Sequence, residues 1–189
     1  MRKIIQFVHT SLDGYIEGPN GEFDWPQLGP ELEEYGRELH GRADTFLYGR
    51  VTWEMMSGFW PQAESMSDDP HDLAFAPIWR KTPKVVVSTS LTHVDWNATV
   101  INRDVAERLT AMKAQPGGVI ILTGGSTLAG HLTELGLLDE VQMVVHPVVL
   151  GGGKRLFKEG TPRHPVDLLE SRTLDGRVVL HRHTPSVRG

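Results

Sequence analysis

The sequence predicts an α/β fold: a mostly parallel sheet finished by an antiparallel hairpin. Three observations predict it. A short, β-branched apolar run, Val119-Ile120-Ile121-Leu122, leads into Gly124-Gly125 and then into a helical pattern. The same order of strand, glycine and helix recurs at Thr45–Tyr48, Gly49 and Arg50–Glu54. Near the end, two alternating runs, 166–173 and 177–184, flank Leu174-Asp175-Gly176. Short unbroken apolar runs suit strands covered on both faces. Asp-Gly between alternating runs signals a hairpin.

Chain-level properties bound the possibilities. The 189 residues are 39% hydrophobic and 23% charged, as in an ordinary globular protein, and fit one domain spanning 1–189. A net charge of -5 argues against a nucleic-acid partner. The absence of cysteine excludes disulfides, thiolate metal sites and a cysteine nucleophile. No apolar run approaches the ~20 residues of a membrane span. Met1-Arg2-Lys3 passes directly into a strand pattern rather than a signal-peptide core. The expectation is a cytoplasmic protein without a membrane partner.

Lys3–His9 reads as the first strand, with Ile4, Ile5, Phe7 and Val8 apolar. The loop from Thr10 to Pro26 follows, with three glycines and embedded Ile16, Phe23 and Trp25. It reads as an Ω-loop packed by its own apolar residues, or as a lid with Trp25 as pocket wall, and its place after the first strand favours the lid. Asp13, in a Leu-Asp-Gly turn, reads as a holder of the lid backbone. Pro30–Arg42 is a helix with Pro30 at its start and Glu31, Glu33 and Glu34 at its positive end. A solvated first turn suits at least two of these acids; one can face the space beneath the lid.

After Thr45–Tyr48, Gly49 opens a second helix in which Arg50 offers a planar bidentate donor and Thr52 a hydroxyl. Residues 58–76 read as an irregular excursion broken by Pro61 and Pro70, with one helical turn at 76–81. Lys84–Val87 is a buried-type strand ending in the hydroxyls of Ser88, Thr89 and Ser90. Thr99–Ile101 is a short strand and Asp104–Ala114 an amphipathic helix stopped by Pro116-Gly117-Gly118. The helix after the glycine pair runs from about Ser126 to Leu135, with Ser126 or Thr127 as its cap and Gly136 as its stop. That junction is either plain punctuation or a strand end and helix start offered to a phosphate.

Glu140–Val149 is a strand in which Pro147 marks an edge, a bulge or an end. Gly151-Gly152-Gly153-Lys154-Arg155 has no phosphate-loop spacing, and no GxGxxG occurs. Among nine histidines, His181 and His183 share one face of a strand and read as surface residues rather than a metal pair.

Four blocks in this order resemble the dihydrofolate reductase superfamily. They are Leu12-Asp13-Gly14-Tyr15-Ile16 through Trp25, Gly49-Arg50-Val51-Thr52-Trp53-Glu54, Val87-Ser88-Thr89, and the Gly124-Gly125 block. The chain is most similar to the branch containing the reductase domain of the riboflavin-biosynthesis deaminase–reductase. Ser11-Leu12-Asp13-Gly14, Gly124 to Gly130 and Pro147 to Gly153 carry that likeness. The resemblance implies a three-layer, dihydrofolate-reductase-like sandwich, NADPH as cofactor and a homodimer. It implies Gly49, Arg50 and Thr52 at the cofactor phosphates and Ser88 with Thr89 near the 2′-phosphate. Gly124 and Gly125 would touch the pyrophosphate and nicotinamide side, with a cis peptide; Ser126, Thr127 and Leu128 would line the diphosphate, and Trp25 the nicotinamide pocket.

Two departures leave the substrate open. The riboflavin-type reductase commonly has an acid just before the glycine pair, where this chain has Thr123. Dihydrofolate reductases place one carboxylate of the first helix against the pterin; Glu31, Glu33 and Glu34 all stand near that place. Reducing a C=N bond needs hydride to carbon and a proton to nitrogen, so a glutamate of this helix, Glu33 or Glu34 foremost, is the candidate catalytic acid. The expected activity is NADPH-dependent reduction of a small pterin- or pyrimidine-like molecule. The alternative is an NADP(H)-binding sensor or interaction protein without turnover.

Overall fold

In a computed structural model, residues 1–186 are described; 187–189, the end of the expected 1–189 domain, lie outside the described residues. The strands are β1 (Ile4–Thr10), β2 (Tyr15–Glu17), β3 (Ala43–Gly49), β4 (Lys84–Val87), β5 (Ala98–Ile101), β6 (Val119–Thr123), β7 (Glu140–Val145), β8 (Lys154–Arg155), β9 (Val166–Leu174) and β10 (Val178–Pro185). The helices are α1 (Pro30–Gly41), α2 (Arg50–Phe59), α3 (Ala63–Met66), α4 (Pro70–Lys81), α5 (Val105–Ala114) and α6 (Ser126–Glu134).

Eight strands form one sheet in the order β5-β4-β3-β6-β1-β7-β10-β9, and β2 pairs with β8 apart from it. All pairings from β5 to β7 are parallel; β10 runs antiparallel to both β7 and β9. One face carries Leu32 and Leu39 of α1, Trp53 of α2 and Trp79 of α4. The other carries Leu109 of α5 with Leu128, Ala129 and Leu132 of α6. Strands β3, β6 and β1 are thus covered on both sides, which explains their unbroken apolar runs.

The expected excursion at 58–76 is more regular than its composition suggests. A short 3₁₀ turn at Trp60–Gln62 leads to α3, and α4 extends the single expected turn to twelve residues. Pro70 takes the first helical position, and the Asp69 carboxylate accepts from the His71 N–H at 2.8 Å. Pro70, which reads as a breaker, therefore starts the helix, with Asp69 as its cap. Pro77 is tolerated inside it. The β7 strand stops at Val145, so Pro147 marks a strand end. Asp175 and Gly176 both have positive φ, 53° and 63°, as a type I′ hairpin turn requires.

That turn has a second task. Gly29, before α1, offers no side-chain cap. The Asp175 carboxylate supplies it, accepting from Glu31 N–H at 2.9 Å and Leu32 N–H at 3.1 Å. The distant hairpin thereby fixes the rotation of α1 and decides which of its acids faces inward.

Candidate active site

The carboxyl ends of the central strands bring the expected residues to one rim. Gly49 is level with Val87, and Phe7 with Thr123, across the paired strands. Arg50, Ser88 and Gly124 therefore leave the sheet side by side, at the position where open α/β sheets bind ligands. Gly124 and Gly125 have φ of 57° and 65°. Gly124 is held from both sides: its N–H donates to the Phe7 carbonyl, and its own carbonyl accepts from the Gln6 amide, each at 3.0 Å. The expected cis peptide is absent, since no peptide among the described residues is cis. Two successive left-handed glycines turn the chain instead.

The turn opens toward α2. A Cβ on Gly125 would meet nothing nearer than 3.7 Å, where Thr52 Oγ1 and the Thr123 carbonyl stand. A Cβ on Gly49 would lie 3.7 Å from Leu128 Cβ, so the first turns of α2 and α6 converge. Neither helix has a side-chain cap; the cap position of α6 is Gly125, not Ser126 or Thr127 as expected. Ser126 is 4% exposed, and its hydroxyl has no hydrogen-bond partner among the described residues; it lies at the wall of a cavity with Gln6, Leu138 and Val141, distinct from the one beneath the lid. Two uncapped helix starts and a groove kept open by missing Cβ atoms fit an anionic group of a ligand. Thr127 is exposed on the first turn of α6, and Leu128 is buried beneath it.

Arg50 is exposed and holds Glu54 at 2.8 Å. The buried Ser88 hydroxyl accepts from the N–H groups of Ser90 at 3.2 Å and Leu91 at 3.1 Å. It shapes the turn after β4, leaving Thr89 exposed beside it.

Beneath the lid lies a cavity of about 530 Å³. Phe7, Ile16, Leu32, Met56 and Phe75 give it an apolar lining, and Thr123, Gly124 and Gly125 form its rim toward the groove. Phe23, Asp24 and Pro26 of the lid close it, whereas Trp25 packs edge-on against Phe23 and His146 rather than lining it. Tyr48 also lines it; burial pushes its phenol up, and its oxygen accepts from Trp79 Nε1 at 3.1 Å.

The three acids of α1 separate here. Glu31 accepts from the Asp175 N–H, and Glu34 pairs with Arg37 on the outside. Glu33 lines the cavity.

The lid is fastened at its base. Asp13 accepts from Ser11 Oγ at 2.6 Å, Gly151 N–H at 2.8 Å and Leu150 N–H at 3.1 Å. These bonds, the Ser11 one foremost, hold its carboxyl down at about 2. Gly153 lies against the backbone of Glu17, and a Cβ there would collide with the Glu17 carbonyl. The glycine run thus anchors the lid instead of binding phosphate.

Sequence reasoning missed His9 and His146. His9 lines the cavity, and its ring meets that of His146 with 2.8 Å between nitrogens. The pair is 137 residues apart and joined only by the β1–β7 register, so no window of sequence displays it. His181 and His183 stack on β10 at 6.0 Å, and no metal-binding cluster occurs among the described residues.

The uncharacterized protein YyaP of Bacillus subtilis (strain 168) is 33% identical over 181 residues, covering 94% of this chain and 92% of its own. The Thermotoga maritima diaminohydroxyphosphoribosylaminopyrimidine deaminase/5-amino-6-(5-phosphoribosylamino)uracil reductase superposes with a TM-score of 0.68 at 14% identity. That match covers 98% of this chain and 57% of the longer one. Enterococcus faecalis dihydrofolate reductase superposes with a TM-score of 0.62 at 14% identity, covering 97% and 96%. The three-layer, dihydrofolate-reductase-like fold is therefore shared with reductases. The model of the RibD C-terminal domain matches residues 2–180, and with nearly every element of the fold inside that match, the chain belongs to the RibD C-terminal domain family.

Proposed function

We propose that this protein is a stand-alone NADPH-dependent reductase of a small heterocycle, pterin- or pyrimidine-like. The observation that carries the reading is the rim where the strand ends meet the cavity: two uncapped helix starts and the left-handed Gly124-Gly125 turn on one side, an apolar-lined cavity holding Glu33 on the other. When bound, the reduced nicotinamide supplies a hydride to carbon. Gly49, Thr52, Gly124, Gly125, Ser126 and Thr127 hold the diphosphate, with Leu128 as the floor of that groove. Arg50 and Thr89 meet the 2′-phosphate above the turn made by Ser88. The lid, with Trp25 bracing it, excludes water. Glu33 or a water beside it gives the proton to the substrate heteroatom. Thr123 replaces the acid of the riboflavin-type site, which favours a substrate lacking that site's charged contact.

The test is loss of reduced-nicotinamide absorbance with a panel of pterins, pyrimidines and quinones. Turnover of one class supports the reading. Tight NADPH binding with no turnover across the panel favours a sensor.

Cofactor choice is tested at Arg50. An Arg–phosphate bond contributes roughly 1.5–3 kcal/mol. Arg50→Ala should weaken NADPH binding by about one to two orders of magnitude and barely change NADH binding. Equal losses in the two titrations would remove the 2′-phosphate assignment.

A homodimer belongs to the same proposal. Strand β9 is the sheet edge and exposes Val166, Leu168 and Leu169, each at least 50% accessible. Val149 and Phe157 are exposed at 66% and 62%. An apolar, unpaired edge of this kind needs a cover. Light scattering at micromolar concentration should give twice the chain mass; a monomer would refute the assembly.

A further inference from the structure

The lid, the end of β7 and the end of β1 meet in a chain of hydrogen bonds. The Gln27 backbone N–H donates to His146 Nδ1 at 3.3 Å. His146 Nε2 lies 2.8 Å from His9 Nδ1. An amide N–H can only donate, so His146 Nδ1 is the bare nitrogen of that ring. The proton of neutral His146 then sits on Nε2 and is donated to His9 Nδ1. His9 in turn carries its proton on Nε2. That nitrogen has no partner among the described residues, yet it is not among the buried polar atoms sealed without one. Because His9 lines the cavity, its Nε2–H is open to whatever fills that space.

Protonating either ring breaks the chain. A cationic His146 would set an N–H against the Gln27 N–H; a cationic His9 would set two ring N–H groups against each other. Burial acts in the same direction. It is the main cause holding His9 down at about 3, ahead of His146, and it holds His146, 1% exposed, down at about 4. His40 of α1 and His71 of α4 lower His9 further, and Arg177 lowers His146. Asp24 of the lid, Glu33 of α1, Asp72 of α4, Glu17 of β2 and Lys154 of β8 are the charged groups lining the same cavity.

Resting on the reductase reading above, we propose that His9 is a tautomer-locked hydrogen-bond donor to the substrate. Its neutral Nε2–H, set by the Gln27–His146 relay, holds a carbonyl oxygen or bare ring nitrogen conjugated with the bond being reduced. His9 keeps its proton, because releasing it would turn a neutral imidazole into an imidazolate, a far stronger base than any group the substrate offers. Its contribution is to orient the ring and draw electron density from the carbon that accepts hydride. The proton that follows goes to the substrate nitrogen from Glu33 or water. The lock also selects: a tautomer presenting N–H at this point would face another N–H, and both would be left unpaired. The relay starts in the backbone just after the lid, so the donor is fully set only while Gln27 is in place.

The first arm of the test needs no turnover. The full-length protein labelled with ¹⁵N-histidine should show His9 as neutral, with proton on Nε2 and Nδ1 as acceptor, from about pH 5 to 8. A cationic His9 at pH 6, or a proton on Nδ1, would overturn the lock. His146→Phe should return His9 to a titrating mixture of tautomers. The second arm uses the best compound of the reductase panel. His9→Met should lower kcat/KM about 10- to 100-fold with NADPH affinity unchanged, and His9→Gln, which keeps a distal N–H donor, should recover most of it. Wild-type kcat/KM in folded His9→Met would overturn the donor role. A panel with no turnover at all would defeat the reductase reading, while the tautomer pattern would still decide the lock.

Discussion

Gly125→Ala is expected to fold, to lose modest stability and to bind NADPH at least 100-fold more weakly than the parent. Two costs are separable. The φ of 65° places an alanine in the left-handed region, at about 1–2 kcal/mol. That corresponds to a midpoint lower by about 2–8 °C for a chain of this size. The nearest atoms to the added methyl stand at 3.7 Å, so the protein itself accommodates it. The methyl instead occupies the groove between Thr52 and the first turn of α6, where the diphosphate must touch backbone N–H groups. Titrating NADPH where circular dichroism shows the variant folded separates the two. If the turn is only structural, stability falls and affinity stays. A well-folded Gly125→Ala protein binding NADPH like the parent would remove the central claim, because every other cofactor contact is placed relative to that turn.

Glu33→Gln is expected to lower kcat by about 10²–10⁴-fold, the range for a lost general acid, with NADPH affinity unchanged. The amide keeps the shape of the side chain and cannot give up a proton as a carboxylic acid does. Glu34→Gln is the internal control. Its carboxylate is taken by Arg37 on the outer surface of α1, so turnover should stay within about twofold. Both variants belong in single-turnover measurements with the best compound of the panel. Undiminished kcat in Glu33→Gln would pass the proton to an ordered water. A large loss in Glu34→Gln instead would mean that α1 is rotated in the working enzyme.

Short windows of sequence determined much of this molecule. Val119–Leu122 is a strand covered on both faces because its short, β-branched apolar run, stopped by glycines, favours extended backbone and sends apolar side chains to both sides. Gly124 and Gly125 turn the chain because they lack Cβ atoms, and Asp175-Gly176 reverses it for a related reason. Asp13 turns back onto the Ser11 hydroxyl because a short carboxylate reaches a neighbour two residues away around a tight turn. These outcomes depend on local sterics and on neighbours within a few residues.

Tertiary structure alone decided the rest. The stretch after Pro70 reads as broken in sequence, yet it is a full helix whose Trp79 packs into the core against the sheet. Three acids in one turn of α1 are equivalent in sequence. They became a hairpin contact, a cavity group and a surface ion pair because Asp175, 144 residues away from Glu31, caps the helix and fixes its rotation. His9 and His146 became a pair because β1 lies beside β7 in one register, with Thr10 level with Val145. Periodicity and propensity are properties of neighbouring residues. Which side chain faces a cavity, and which nitrogen of a ring carries its proton, depend on contacts between residues that only the folded sheet brings together.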